Sequence, residues 1–171
     1  MFSNKLFRTL IIIVLIATNI GCDQVSKSIV RESVEEEEWI EIWDDNLLLT
    51  NVENSGAFFG WLSDLPPVVK GVVLSFFPSL AILAILFTVF TRTNLSRGSV
   101  VGLSFVIGGG IGNIYDRIAY GSVTDFLHID LGIFRTGIFN MADVSIMVGM
   151  GIVLVGAWWA GKGEQGAVLG E

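Results

Sequence analysis

Four long apolar segments dominate the pattern of hydrophobic and polar positions along the chain. A helix crosses a bilayer in roughly 20 residues at 1.5 Å per residue. We therefore predict an all-α membrane protein with transmembrane helices at about 6–22, 68–91, 98–115 and 138–161. The second segment is the clearest, since Gly71 to Thr91 contains no charged residue.

A different pattern occupies the loop at about 31–66, between the first two helices. Trp39–Trp43 alternates in side-chain character, and Asn46–Val52 is rich in apolar and β-branched residues. Both features are typical of strands, so we predict a small β-rich sheet resting on the membrane surface. An aromatic cluster then suits an interfacial segment leading into the second helix; it comprises Phe58, Phe59 and Trp61.

Composition narrows the class of protein. Of the 171 residues, 52% are hydrophobic and 16% charged, and the mean hydropathy is +0.69, which excludes a disordered chain. The length predicts a single integral membrane domain over 1–171. A net charge of -7 argues against nucleic acid as a partner. With Cys22 and His128 as single examples of their types, we expect no zinc site, no His-based triad and no cofactor.

Basic residues beside the helices indicate orientation, because Lys and Arg are retained on the cytoplasmic side. They lie before the first helix, between the second and third, and after the fourth: Lys5, Arg8, Arg92, Arg97 and Lys162. We predict that both termini are cytoplasmic and that the loops 31–66 and 116–137 are extracytoplasmic.

The first apolar segment has an alternative interpretation. Asn19-Ile20-Gly21-Cys22 is similar to the end of a lipoprotein signal peptide, with Cys22 as lipid acceptor. That would make the protein a lipoprotein. Since three further helices follow, we prefer an uncleaved first helix.

Polar side chains collect at one predicted boundary. A carboxylate costs at least ~2.5 kcal/mol at mid-membrane and less near an interface. The predicted topology places at the outer boundary Asp23, Lys27, Asn54, Asn113, Asp116, Arg117, Asp125, Asn140 and Asp143. One interpretation is a structural network, in which Asp23 pairs with Lys27, and Asn140 or Asp143 caps the fourth helix. The other is a reactive site.

Two of these carboxylates suit catalysis. Asp125 follows the third helix and Asp143 begins the fourth, so antiparallel neighbouring helices would bring them together. Two adjacent carboxyl groups share a proton, and one then activates water while the other donates to a substrate carbonyl. A proton-coupled carrier is a rival, but its acids would lie at the midplane.

Five motifs carry a family resemblance. The chain resembles lipoprotein signal peptidase, or signal peptidase II, in Asp23-Gln24-Val25-Ser26-Lys27, Asn54-Ser55-Gly56-Ala57-Phe58-Phe59, Gly112-Asn113-Ile114-Tyr115-Asp116-Arg117, Val123-Thr124-Asp125-Phe126 and Phe139-Asn140-Met141-Ala142-Asp143. The resemblance implies an aspartyl endopeptidase of the bacterial cytoplasmic membrane. It would remove signal peptides from diacylglyceryl-modified prolipoproteins, cutting just before the lipidated cysteine near the outer leaflet.

The resemblance also assigns residues and partners. Asp125 and Asp143 match the catalytic pair, and positions supporting the active site are matched by Asp23, Lys27, Asn54, Gly56, Asn113, Arg117 and Asn140. Asp116 is expected to pair with its neighbour or serve as a cap. The expected partners are lipid-modified prolipoproteins, membrane lipids and the inhibitor globomycin, which occupies the family's substrate site.

Physical chemistry suggests roles for some matches. The amides of Asn54 or Asn140 would orient the scissile backbone, and Arg117 would hold a carboxylate or the lipid head region. Gly108 to Gly112 would let the third helix approach a neighbour closely. The chain departs from the family pattern at Phe58 and at Gly137-Ile138, which bears on substrate preference.

Overall fold

Helices and a small sheet make up the computed structural model, which describes residues 4–44, 46–56 and 65–168. The elements are α1 (Lys5–Ser33), β1 (Trp39–Trp43), β2 (Leu47–Asn54), α2 (Pro67–Gly71), a π-helical turn (Val72–Phe76), α3 (Phe77–Thr91), α4 (Arg97–Ala119), β3 (Val123–Ile129) and α5 (Met141–Val168). In the described part, four helices are long and apolar enough to span a membrane: Lys5–Ser33, Pro67–Thr91, Arg97–Ala119 and Met141–Ala160. The predicted fold class is confirmed.

The helix ends differ from the predicted ones wherever polar residues are buried. α1 continues to Ser33 instead of ending at residue 22, because Asp23 and Lys27 are fully buried against other helices. α4 likewise continues to Ala119. α5 begins at Met141 instead of residue 138. Hydropathy marks where a helix is apolar, whereas α1 and α4 continue as far as their buried polar residues find partners.

The sheet has the order β1-β2-β3, with both pairs antiparallel. β1 and β2 lie in the segments predicted to be strands. β3 was not predicted, because its seven residues looked like a loop after the third helix. In the register of β2 on β3, Val52 lies opposite Asp125. Pairing with β2 therefore fixes the strand that carries Asp125.

α4 lies at the centre of the bundle and packs against α1, α3 and α5. Glycine permits the closest approaches: a Cβ on Gly108 would lie 2.5 Å from the Cβ of Asn19 in α1, and one on Gly109 would meet the carbonyl of Ala142 in α5. The predicted close approach around Gly108 to Gly112 is confirmed.

Two apolar clusters hold this arrangement together. The first joins α1, α3 and α4 through Ile12, Val89, Val100 and Ile107. Beside it, the Arg8 guanidinium donates to the carbonyls of Val89 at 2.5 Å and Arg92 at 2.9 Å, which caps the end of α3. The second cluster attaches the sheet to the end of α1 and is formed by Val30, Val34 and Phe126. The aromatic residues Phe58, Phe59 and Trp61, predicted to be interfacial, lie outside the described residues.

Candidate active site

A buried cation organises the outer half of the bundle. Lys27 is fully buried, and its Nζ lies 2.9 Å from Oδ2 of Asp23 and 2.9 Å from Oδ2 of Asp116. The predicted pair of Asp23 with Lys27 is confirmed. Asp116 also lies 3.2 Å from the Arg31 guanidinium, so its ionic partners are both on α1 instead of its neighbour Arg117. These contacts neutralise carboxylates that burial would otherwise penalise.

The start of α5 is held by a reciprocal cap. The backbone N–H of Asp143 donates to Oδ1 of Asn140 at 3.1 Å, and the backbone N–H of Asn140 donates to Oδ2 of Asp143 at 3.2 Å. This is the capping-box arrangement. Oδ1 of Asp23 accepts from the N–H of Ala142 at 2.9 Å and adds a support from α1. The predicted cap is confirmed, and it fixes the carboxylate of Asp143.

Asp125 lies in β3 and is 5% exposed. Its Oδ1 accepts from Nδ2 of Asn140 at 2.6 Å, and its Oδ2 accepts from Nδ2 of Asn54 at 2.9 Å. Burial, helped by the negative charge of Asp143, raises the pKa of Asp125 to about 6, although the hydrogen bonds from Asn54 and Asn140 and the charge of Lys27 oppose the rise. Asp125 therefore keeps its proton to a higher pH than an ordinary aspartate does.

Asn113 and Asn140 connect the two aspartates. Nδ2 of Asn113 donates to Oδ1 of Asp143 at 2.9 Å, and Nδ2 of Asn140 donates to Oδ1 of Asn113 at 3.2 Å as well as to Asp125. Because Oδ1 of Asn113 also accepts from Lys27 at 2.9 Å, its NH₂ group must face Asp143. Asp125 and Asp143, far apart in the chain, belong to one hydrogen-bonded network.

Gly56 and Arg117 lie beside this network. The N–H of Gly56 donates to Oδ1 of Asn54 at 3.0 Å, which orients that side chain toward Asp125. Among the residues that the structure describes, Arg117 makes two long hydrogen bonds of 3.4 Å, to the carbonyls of Asn113 and Gly56. Its Nε is buried and has no hydrogen-bond partner among the described residues. Arg117 therefore retains a donor for another molecule.

The structure brings all nine predicted site residues into one region and shows the partners of their side chains within the protein. The side-chain amides of Asn54 and Asn140, for which we predict a role in orienting the scissile backbone, donate to Asp125. Arg117, for which we predict a contact with a carboxylate or the lipid head region, bonds within the protein to backbone carbonyls. Contacts between segments that are distant in the chain, which sequence alone does not give, supply the partners of Asn54 and of Arg117.

Sequence reasoning missed Arg31 and Gln24. Nε of Arg31 donates to Oγ1 of Thr124 at 2.7 Å, and the guanidinium lies 4.3 Å from the centroid of the Tyr120 ring. Nε2 of Gln24 donates to Asp116 and to Asp23, each at 3.0 Å. A signal for Arg31 was available, since it follows Asp23 and Lys27 by helical spacing on the same side of α1.

The network consists of amide hydrogen-bond donors and carboxylates, and its described residues do not form a cluster of metal ligands. Across residues 4–44, 46–56 and 65–168, no group of three His, Cys, Asp or Glu side chains is arranged to hold a metal ion. The two carboxyl groups and their amide donors can transfer protons to and from a bound molecule.

Comparison with known proteins identifies the family. The family model described as signal peptidase (SPase) II matches residues 12–159. The chain belongs to the signal peptidase II family. A lipoprotein signal peptidase of Rhodopseudomonas palustris is 38% identical over 105 residues, which cover 59% of this chain and 62% of that protein. One of Desulforapulum autotrophicum is 33% identical over 144 residues, covering 84% and 89%.

A solved structure shares the fold. It is described as a bacterial membrane enzyme, determined by the in meso method at 2.3 Å resolution. The TM-score is 0.76 at 23% identity, and the match covers 86% of this chain and 87% of that one. This signal peptidase II family member is accordingly a multi-pass membrane protease. The alternatives of a lipoprotein and a proton-coupled carrier are not favoured, and α1 passes through Cys22 as a continuous helix.

Proposed function

We propose that the protein is an aspartic endopeptidase that removes signal peptides from diacylglyceryl-modified prolipoproteins, cutting just before the lipidated cysteine. Asp125 and Asp143 are the proposed catalytic pair. The observation that carries the proposal is the shared amide network, in which Asn140 donates to Asp125 and exchanges two hydrogen bonds with Asp143. Family membership and the names of the relatives support the substrate class.

The two carboxyl groups have different environments, and we assign their roles accordingly. Asp125 is buried with a raised pKa, so it holds the proton and donates it to the carbonyl oxygen of the scissile peptide. Asp143 is more exposed and takes a proton from the water that attacks the carbonyl carbon. The neutral tetrahedral intermediate then collapses as Asp143 protonates the leaving amine and Asp125 recovers its proton from a hydroxyl of the intermediate.

The surrounding polar residues prepare this pair for reaction. In this mechanism Asn54, Asn113 and Asn140 aim the carboxyl groups, since each donates a side-chain hydrogen bond to one of them. Arg117 contacts the substrate, through a carbonyl near the cleavage site or through the lipid head region. The free Nε of its guanidinium supports that role.

Substrate reaches the site laterally, because both its signal helix and its acyl chains are already in the membrane. We propose that the single domain lies in the bacterial cytoplasmic membrane with both termini cytoplasmic and the dyad near the outer leaflet. The dyad is at the end of α4 and the start of α5, whereas Arg8 and Arg92 meet at the other end. The position of Arg8 and Arg92 at the opposite end of the bundle from the dyad agrees with the retention of basic residues on the cytoplasmic side.

A peptide that occupies the substrate site should inhibit the enzyme. The family expectation is globomycin, and a dyad flanked by Arg117 offers the polar contacts that such a cyclic peptide needs. Membrane lipids are the remaining proposed partner, while no cofactor or nucleic acid takes part in the proposed reaction.

Cleavage assays on purified protein test the proposal. The detergent-solubilised wild type is given a diacylglyceryl-modified prolipoprotein and its unlipidated counterpart, beside Asp125→Asn, Asp143→Asn and the matched control Asp44→Asn, whose carboxylate is exposed. We expect cleavage of the lipidated substrate by wild type and control alone. Full cleavage by either dyad variant, or equal cleavage of both substrates, would overturn the assignment.

A further inference from the structure

The turn that follows β3 exposes a concentrated group of large apolar side chains. Residues 130–136, which we call the apolar finger, include Leu131 at 56%, Ile133 at 104% and Phe134 at 59% exposure. Soluble surfaces seldom present three such residues together, and a patch of this kind marks an interaction site.

Three successive backbone N–H groups at the tip of the finger are hydrogen-bonded within it. The N–H of Leu131 donates to the carbonyl of Phe134 at 2.8 Å, and that of Ile133 donates to the carbonyl of Leu131 at 2.9 Å. The N–H of Gly132, at φ +78°, donates to Oδ1 of Asp130 at 2.9 Å. Unbonded amides are costly in hydrocarbon, so internal bonding is the property that a lipid-inserted turn requires.

The charges of the finger are also paired. Nε of Arg135 lies 2.9 Å from Oδ2 of Asp130, and the two residues form an antiparallel bridge at the base of the turn. The pair carries no net charge. It stands behind the apolar tip, where a long arginine side chain can extend toward lipid head groups.

A tryptophan lies at the same end of the sheet. The N–H of Asp130 donates to the carbonyl of Asn46 at 3.0 Å, and the N–H of Asn46 donates to the carbonyl of Trp43 at 2.8 Å. Trp43 and Ile42 are both exposed, and tryptophan favours the membrane interface. Since β3 carries Asp125 near its start, the finger is at the opposite end from the dyad, about 17 Å along an extended strand.

We propose that the apolar finger, together with Trp43, docks into the lipid of the outer leaflet. Lipid is the occupant because the turn belongs to a domain with four membrane-spanning helices, exposes three large apolar side chains at its tip and pairs its two charged side chains with each other. Docking fixes the depth in the membrane of the end of β3 that is farther from Asp125. It therefore keeps Asp125 at the depth of the scissile bond of a substrate in the outer leaflet. Only the choice of leaflet rests on the proposed function.

Site-specific labelling tests lipid docking. In a Cys22→Ser background, Ile133→Cys or the control Glu36→Cys is labelled with the fluorophore NBD, and the full chain is reconstituted in phosphatidylethanolamine–phosphatidylglycerol vesicles. Both positions are exposed, so neither substitution disturbs packing. We expect blue-shifted emission at position 133 with strong quenching by nitroxide-labelled lipid and weak quenching by aqueous iodide. The label at position 36 should show the reverse.

Two outcomes would overturn the proposal. One is iodide quenching at position 133 as strong as at position 36. The other is shielding that disappears when protein is diluted in lipid, since a second copy would then cover the finger. A label at Leu131→Cys should lose its lipid contact when Ile133→Asp and Phe134→Asp are added. Circular dichroism and gel filtration verify folding, so docking is judged independently of cleavage.

Discussion

The ammonium group of Lys27 lies 2.9 Å from the side-chain oxygen of Asn113. This contact decides the direction of the Asn113 amide, whose nitrogen then points to Asp143. Lys27, whose hydrogen bonds go to Asp23 and Asn113 and not to Asp125 or Asp143, thus determines how Asp143 is held. Support for the dyad extends into the charged core between α1 and α4.

Removing that cation should destabilise the protein strongly. Lys27→Met leaves Asp23 and Asp116 buried without their shared partner, and breaking a buried ion pair in this way costs about 3–5 kcal/mol. Thermal unfolding in detergent measures the loss, with Lys5→Met at an exposed position as the control. Equal melting temperatures for the two variants would contradict the role of Lys27.

Stability should depend on pH through Asp125. Its pKa rises from an ordinary 3.8 to about 6 on folding, so the folded protein binds this proton more tightly than the unfolded chain does. The resulting stabilisation is present at pH below the unfolded value and is lost as pH rises through about 6. It amounts to about 3 kcal/mol at most.

Comparison with Asp125→Asn isolates this contribution, because asparagine does not titrate. The melting temperature of the wild type relative to the variant should fall between acidic and neutral pH. A constant difference across that range would mean that the pKa of Asp125 does not change on folding.

Loss of Asn54 should move the pH profile of cleavage upward. The hydrogen bond from Asn54 lowers the pKa of Asp125, so Asn54→Ala raises it further. If Asp125 donates the proton, the alkaline limb of kcat/KM against pH should shift to higher pH in this variant. Asn46→Ala, at the far end of the sheet, serves as the control and should keep the wild-type profile.

A methyl group at Gly112 should be poorly tolerated. Its Cβ would meet the carboxylate of Asp23, which holds both Lys27 and the N–H of Ala142. Overpacking of this kind costs about 1–3 kcal/mol, whereas Gly151→Ala enters open space and should be neutral or slightly stabilising. Melting temperatures of the two variants give the comparison, and a stable Gly112→Ala would indicate that Asp23 can shift.

The sequence predicted those features that depend on local chemistry. Apolar length indicated the four helices, the spacing of Asp23 and Lys27 indicated their pair, and Asn140 with Asp143 indicated a cap. Features that depend on distant segments were missed. β3 forms by pairing with β2, and Arg31 bonds to Thr124 across 93 residues of chain. Periodicity within one segment contains no information about such partners, so the network required the fold.

The continuous course of α1 has a consequence for the alignment of the whole site. Asp23 bonds to α5 and Arg31 bonds to β3, so the single helix α1 positions the two elements that carry Asp143 and Asp125. Each residue turns a helix by about 100°. One residue inserted between Asp23 and Arg31 would rotate Arg31 away from Thr124 while Asp23 kept its contact with α5. Asp125 and Asp143 would then no longer be positioned by the same helix, although no side chain had been removed.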